Sequence, residues 1–128
     1  MALNKQELKA LLFEQECSLL HDEFSDEVEK LLGPELWEIA ADGVIRSRQE
    51  ICMWLVRKSP HARWDIRDFK VMCLSEHLAL STYWAKMLAP RTSASLGAMH
   101  SSLWKQNPEG LWQMVFHQST KVESVGDA

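Results

Sequence analysis

The chain has 128 residues, of which 46% are hydrophobic and 25% are charged, so its composition is that of an ordinary soluble globular domain. A net charge of −4 with no run of lysine or arginine argues against nucleic-acid binding. No apolar run approaches the roughly 20 residues of a membrane span, and the polar N-terminal residues do not resemble a signal peptide. We expect a single domain over residues 1–128, with its core at about 4–121 and a flexible tail at 122–128.

The cysteines and histidines indicate neither disulfides nor a metal site. Cys17, Cys52 and Cys73 stand singly with no CxxC pair, which is typical of reduced thiols in the cytoplasm. The five histidines are scattered, with no HxH or HExxH spacing. We therefore expect a cytoplasmic protein with no metal and no cofactor.

The first part of the chain predicts helices. Leucines recur at helical spacing over residues 4–20, with Asn4 as the N-cap. Ser25 is followed by acidic residues, which suit the positive end of a helix dipole. This second helix is predicted to be short and to stop at Gly33-Pro34.

A small hairpin leads from these helices into a third one. Residues 36–46 have the pattern of strand, Asp42-Gly43 turn and strand. The next four residues, Ser47 to Glu50, form a capping box, which predicts the start of a helix. Ser59-Pro60 is the predicted end of that helix.

From residue 63 onward the sequence predicts four long strands. In the first, the alternation of apolar and polar residues slips by one near Arg67-Asp68, which predicts a β-bulge that bends the sheet. The other three strands are predicted at about 78–87, 95–106 and 111–121. Helices followed by strands indicate the α+β class. We expect a cone-like curved antiparallel sheet wrapped round the N-terminal helices.

The register of the last hairpin decides which of its side chains face inward. If Asn107 to Gly110 form a four-residue turn, His100 faces His117. One face then carries Trp104, Ser102, His100, Gln113, Val115 and His117, and the other carries Met99, Leu103, Trp112, Met114, Phe116 and Gln118. Because the second face is more apolar, we expect it to cover the helices, which places His100, Ser102 and Trp104 on the outer face or at a dimer interface. A shift of one residue would instead turn the histidines into the pocket.

An ordered set of motifs resembles a known family. The chain is similar to the nuclear transport factor 2-like superfamily, and within it to bacterial SnoaL-like domains of unassigned function. The resemblance covers about residues 4–121 and rests on Asp42–Glu50, Ile66–Phe69, Thr82-Tyr83, Ser101–Trp104 and Trp112–Thr120. It implies a cone-like α+β fold with a pocket at its wide end, usually dimeric through the outer sheet face. Ketosteroid isomerases, dehydratases and polyketide cyclases belong to the superfamily.

The last two strands also resemble the association domain of calcium/calmodulin-dependent kinases. That domain lines its pocket with arginines. This chain has Ala85 and Ser102 at the corresponding positions, so the resemblance does not imply an anion-binding pocket here.

Three residues are candidates for catalysis. His117 is a possible general base because the pKa of a histidine lies near neutrality. Asp68 lies at the predicted bulge, and bulges often redirect side chains towards sites. Tyr83, the only tyrosine, could donate a hydrogen bond to a ligand oxygen. Each also has a structural interpretation: an interface histidine, a surface aspartate and a packed tyrosine.

Three functions remain open at this point. The first is binding of a small, largely apolar ligand in a pocket lined by Trp37, Trp54, Tyr83, Met99, Met114, Phe116 and Gln118. The second is an isomerase, dehydratase or cyclase that uses His117 or Asp68 as base. The third is a protein-interaction module that acts through its outer sheet face. A homodimer is the expected assembly.

Overall fold

The computed structural model describes residues 3–88 and 96–123. Its helices all precede residue 58, and its long strands follow residue 62, which confirms the α+β class. The elements in chain order are α1 (Lys5–His21), α2 (Asp26–Glu29), β1 (Leu32–Ile39), β2 (Ile45–Ser47), α3 (Arg48–Arg57), β3 (Arg63–Ser75), β4 (Leu78–Leu88), β5 (Ala98–Gln106) and β6 (Trp112–Lys121). No helix within these described ranges is long and apolar enough to cross a membrane.

The predicted helix starts are confirmed. Asn4 caps α1 and Ser47 caps α3, each in a complete capping box with the glutamate three residues later. Ser25 caps α2, which is a single turn. The chain then leaves the helix before Gly33-Pro34, the predicted end, because Leu32 already pairs with Met114 in the sheet.

The strands form one six-stranded sheet in the order β2-β1-β6-β5-β4-β3. All neighbours are antiparallel except β1 and β6, which run parallel. The sheet is therefore mixed and not purely antiparallel as expected. It is also open, since β2 and β3 lie at its two edges.

The predicted bulge lies in β3 and is confirmed. The pairing of β3 with β4 shifts between Arg67 and Lys70, and Asp68 has a φ of 58°. Aspartate is one of the few non-glycine residues that adopts this left-handed conformation readily. The extra residue bends the strand, so the sheet curves around the helices.

The core lies between α1 and the concave face of the curved sheet. Leu8 and Leu12 of α1 are buried there, with Leu12 fully inaccessible to solvent. Opposite them, Trp104 of β5 and Trp112 and Met114 of β6 complete the main hydrophobic cluster. A space between this helix, α3 and the sheet stays open.

The predicted register of the last hairpin is wrong. Gln106 pairs with Trp112, which is one residue beyond the predicted partner, Leu111. A second shift lies at Val115, because Trp104 pairs with Met114 whereas Leu103 pairs with Phe116. Beyond it, His117 is opposite Ser102, and His100 is opposite Ser119. Turn chemistry alone did not reveal this bulge.

The β5 residues predicted for the outer face, together with His117, lie on the inner face, whereas Trp112 and Met114 face inward as predicted. Trp104 and Ser102 are both 0% exposed, and they lie on the concave face with His100 and His117. Comparing the apolarity of the two faces predicted the wrong orientation, because most polar atoms of the concave face are hydrogen-bonded inside the protein. The three predicted interface residues, His100, Ser102 and Trp104, therefore lie in the interior.

Candidate functional site

A cavity of about 450 Å³ lies between the concave face of the sheet, α1 and α3. Most of its wall is apolar, because α1 and α3 turn their buried faces towards it. Its apolar lining includes Leu19, Leu20, Leu32, Ile51, Leu55 and Met114. A volume of this size is within the range of small-molecule sites in proteins.

The structure brings only part of the predicted pocket set together. Trp54, Tyr83 and Met114 line the cavity. The other four, Trp37, Met99, Phe116 and Gln118, are not in its wall. Trp37 and Phe116 contact each other with ring centroids 4.8 Å apart, and Met99 is 45% exposed. They belong to the convex face: Trp37 and Met99 alternate with the cavity-lining Glu38 and His100, and the bulge at Val115 turns Phe116 and Gln118 outward.

A carboxylate on α1, which the sequence analysis missed, lies in the interior beside the cavity. Glu16 is 2% exposed and accepts three hydrogen bonds. The donors are the Ser81 hydroxyl at 2.8 Å, the Tyr83 hydroxyl at 2.7 Å and the Trp104 indole N–H at 3.0 Å. Glu16 follows Leu8 and Leu12 at intervals of four, so its position on the buried stripe of α1 was the available signal.

Tyr83 donates its hydroxyl proton to Glu16 and is 1% exposed. Burial, reinforced by the negative charge of Glu16, raises the pKa of Tyr83 well above its usual value. Its ring stacks between Phe69, at 5.5 Å, and His100, at 5.0 Å and nearly parallel. The tyrosine therefore anchors the wall of the cavity, and its hydroxyl is already engaged.

Three side chains from three adjacent strands form a linear chain of hydrogen bonds, which we call the histidine chain: Glu38 of β1, His117 of β6 and His100 of β5. Glu38 Oε1 lies 3.0 Å from His117 Nδ1, and His117 Nε2 lies 3.0 Å from His100 Nδ1. The pairings Glu38–His117 and Ser102–His117 bring the residues to one face. All three line the cavity.

The remaining ring nitrogen, His100 Nε2, is buried and has no hydrogen-bond partner among the described residues. Burial, with a smaller contribution from His117, lowers the pKa of His100 to about 3. His100 is therefore neutral at neutral pH. When a neutral His117 donates from Nδ1 to the Glu38 carboxylate, its Nε2 accepts, so His100 donates from Nδ1. His100 Nε2 is then a bare acceptor.

Basic side chains also line the cavity. Arg46 of β2 pairs across the strands with Glu38, and its Nε is buried without a partner among the described residues. Lys86 and Lys121 complete the basic part of the lining. Two buried side-chain atoms of residues that line the cavity, His100 Nε2 and Arg46 Nε, have no hydrogen-bond partner among the described residues.

Asp68, the predicted carboxylate base, is not part of this arrangement. It is exposed at the bulge in β3 and does not line the cavity. Within residues 3–88 and 96–123, no group of three or more histidine, cysteine, aspartate and glutamate side chains is placed to hold a metal ion.

Comparison with known proteins gives similarity in structure but not in sequence. The sequence matches no protein-family profile and no curated protein. A ketosteroid isomerase candidate from Parabacteroides distasonis is similar with a TM-score of 0.73 and 11% identity, over 95% of this chain and 96% of that one. An NTF-2-like protein of unknown function from Pseudomonas aeruginosa has a TM-score of 0.69 and 12% identity, over 90% and 98% of the two chains.

The association domain of calcium/calmodulin-dependent kinase II from C. elegans is a third similar structure. Its TM-score is 0.73 at 13% identity, over 91% of this chain and 95% of that domain. Identities this low show a shared fold and not a shared activity. These similarities confirm the resemblance at the level of the fold: the chain has the nuclear transport factor 2-like fold.

Proposed function

We propose that the cavity binds a small, largely apolar molecule that carries a hydrogen-bond donor, and that His100 Nε2 accepts this hydrogen bond. The observation that carries the proposal is the buried, unpartnered Nε2 of His100, a residue that lines a mainly apolar cavity. A buried acceptor without a partner costs about 1–3 kcal/mol, and a ligand hydroxyl or amide N–H would remove that cost. Apolar walls would supply the rest of the affinity.

The proposal predicts that a hydroxyl group on a flat apolar ligand strengthens binding. We expect 2-naphthol to bind about tenfold more tightly than naphthalene, because one hydrogen bond to a buried acceptor contributes about 1–1.5 kcal/mol. In His100→Phe, an aromatic ring that can still stack on Tyr83 replaces the acceptor. The preference for 2-naphthol should then disappear, while naphthalene still binds. Isothermal titration calorimetry measures both ligands on both proteins.

The matched control is His61→Phe, which changes an exposed histidine outside the cavity. It should retain the preference of the original protein. Failure of both ligands to bind would contradict the proposal, and so would an unchanged preference in His100→Phe.

A second proposal concerns assembly and rests on the convex face of the sheet. Cross-strand pairs align Met72, Leu80, Leu103, Phe116 and Trp37 in one row over five strands, which we call the convex apolar row. Met72 is 58% exposed and Trp37 is 43% exposed. Contiguous exposed apolar surface of this kind marks interaction sites. Since similar structures include a kinase association domain, we propose that two copies of this chain pack through the row.

A charged side chain at the centre of the convex apolar row should dissociate the proposed dimer. We expect Leu103→Lys to be monomeric at concentrations where the original protein is dimeric, because a lysine there would have to be desolvated at the interface. Sedimentation equilibrium gives the mass, and circular dichroism verifies folding. Val56→Lys, at an exposed position on α3, is the matched control. A monomeric original protein, or a dimer that withstands Leu103→Lys, would reject the proposed interface.

The thiols bear on the compartment in which the protein works. Cys17, Cys52 and Cys73 are all free. Because free thiols are typical of reducing compartments, we propose a cytoplasmic location.

A further inference from the structure

We propose that the histidine chain lets pH select the class of ligand that the cavity binds: hydrogen-bond donors at alkaline pH and hydrogen-bond acceptors at mildly acidic pH. The selecting atom is His100 Nε2, which changes from acceptor to donor when the chain takes up one proton. This inference rests on the proposed function, since the ligand must contact His100 in the cavity. It adds a second ligand class and a regulation of the same site.

The alkaline state of the histidine chain is fixed by the carboxylate at its start. Glu38 Oε1 lies 3.0 Å from His117 Nδ1, and an ionised carboxylate can only accept, so His117 carries its proton on Nδ1. The bare His117 Nε2 lies 3.0 Å from His100 Nδ1, which must therefore donate. Because a neutral imidazole carries one proton, His100 Nε2 is bare. In this state the end of the chain accepts a hydrogen bond from a ligand.

One added proton reverses the hydrogen bond between the two histidines. When His117 is an imidazolium, it donates from Nδ1 to Glu38 and from Nε2 to His100. His100 Nδ1 must then accept, so a neutral His100 carries its proton on Nε2. The balance is one proton from solvent: His117 gains a proton on Nε2, while His100 loses the one on Nδ1 and gains one on Nε2. The end of the chain is now a donor.

The same tautomer of His100 follows if the added proton lies on Glu38. A protonated Glu38 donates to His117 Nδ1, and His117 then carries its own proton on Nε2 and still donates to His100. The state of His100 Nε2 therefore depends on whether the pair of Glu38 and His117 has gained a proton, and not on which of the two holds it.

The surroundings place the added proton on this pair and not on His100. Glu38 and His117 are within ion-pair distance at 3.0 Å, and both side chains are mostly buried. The described hydrogen-bond partner of His100 is His117 and not a carboxylate, and its ring stacks on Tyr83. Burial, with a smaller contribution from His117, lowers the pKa of His100 to about 3. His100 therefore stays neutral while it changes its tautomer.

Other titratable or charged groups face the cavity from several elements. On α1, Glu16 is occupied by its three donors, and His21 accepts from the backbone N–H of Trp64, whose ring contacts His100. The cavity linings from α3 and β3 are apolar. The remaining lining groups of this kind are Arg46 on β2, Tyr83 and Lys86 on β4, and Lys121 on β6. Their titration does not exchange donor for acceptor at His100 Nε2, so uncharged ligands that differ in donor and acceptor character isolate the switch.

Three uncharged bicyclic molecules of similar size test the switch. Indole donates one hydrogen bond, 1-indanone accepts one, and indene does neither. At about pH 8.5 we expect indole to bind about tenfold more tightly than indene, and 1-indanone no more tightly than indene. At about pH 5 the order should reverse, with 1-indanone about tenfold tighter than indene and indole no tighter. Isothermal titration calorimetry measures the three dissociation constants at each pH.

His117→Gln keeps a polar side chain but removes the group that takes up the proton. The preference of this variant among the three molecules should be the same at both pH values. The matched control, His61→Gln, changes an exposed histidine outside the cavity and should reverse its preference as the original protein does. Circular dichroism verifies that each variant is folded at both pH values. A reversal that persists in His117→Gln would overturn the role of the histidine chain.

Long-range ¹⁵N NMR observes the switch in the original protein without ligand, so it does not depend on the folding of a variant. At about pH 8.5 both His100 and His117 should carry their proton on Nδ1. As the pH is lowered, His117 should become protonated on both nitrogens or on Nε2 alone, while His100 moves its proton to Nε2. By linkage, indole should move this transition to lower pH and 1-indanone to higher pH. A His100 that keeps one tautomer while its neighbour titrates would overturn the switch.

The outcomes separate this inference from the proposed function. If indole is preferred over indene equally at both pH values, recognition of a donor stands and the switch is wrong. Indole that binds no better than indene at either pH would reject the switch, and the comparison of 2-naphthol with naphthalene then decides the proposed function on its own. A preference that reverses with pH, and does so in His61→Gln but not in His117→Gln, would support both.

Discussion

Glu16→Ala is expected to lower the free energy of unfolding by about 3–5 kcal/mol, because it leaves buried donors without an acceptor. The Tyr83 hydroxyl and the Trp104 indole N–H lose their carboxylate, and Ser81 loses one of its two partners in this cluster. Water does not easily replace the carboxylate, since Ser81 and Trp104 are 0% exposed. Urea denaturation followed by tryptophan fluorescence measures the loss.

Glu14→Ala is the matched control for this substitution. Glu14 is exposed on the same helix and is two residues away. Its replacement should change stability by no more than about 0.5 kcal/mol. Glu16→Gln keeps the volume and one acceptor oxygen but faces three donors with an NH₂ group, so a partial loss is expected. A Glu16→Ala protein as stable as Glu14→Ala would show that the buried hydrogen bonds contribute little.

The stability of the protein is expected to fall as the pH is lowered below about 6.5, because His100 resists protonation in the folded state. Its pKa is about 3 when folded, against an ordinary value of 6.5. Between these values the unfolded chain binds the proton and the folded chain does not, so acid favours unfolding. Above pH 6.5 His100 is neutral in both states and does not affect the stability. Between pH 6.5 and 3 the free energy of unfolding falls by about 1.4 kcal/mol per pH unit.

Urea denaturation at a series of pH values gives this slope. His100→Phe has no group to protonate at this position, so its stability should depend less on pH in the same window. The comparison uses slopes, since the substitution also changes packing. Equal slopes in the two proteins would contradict the assignment of the pH dependence to His100.

Local sequence signals predicted the elements of the fold well. Asn4 and Ser47 are each followed three residues later by the glutamate of a capping box. A motif of four residues therefore marks each helix start. The bulge at Asp68 is visible because a one-residue slip in alternation has a local cause. These features need no knowledge of distant parts of the chain.

The arrangement of the site depends on pairings that are not local. The bulge at Val115 changes which residues of β5 and β6 are opposite, and no glycine or proline marks it. The parallel pairing of β1 with β6 brings Glu38 to His117 over 79 positions in sequence. Glu38 therefore could not be recognised as a partner of the histidine from its own surroundings.

Two of the candidate residues could nevertheless be identified from the sequence. His117 and Tyr83 do line the cavity, and their chemical character suggested them. Their contacts were not accessible: the Tyr83 hydroxyl is held by Glu16, and His117 reaches the cavity together with His100. The inward orientation of Trp104 and His100 follows from buried hydrogen bonds and contacts, which a count of apolar residues on each face does not consider.

A crystal structure of the protein soaked with 2-naphthol tests the central claim most directly. The account predicts naphthol in the cavity between the sheet, α1 and α3, with its hydroxyl oxygen about 2.7–3.0 Å from His100 Nε2. The histidine chain should remain in place beside it. Naphthol bound elsewhere on the protein, or a cavity filled by the protein's own side chains, would contradict the account.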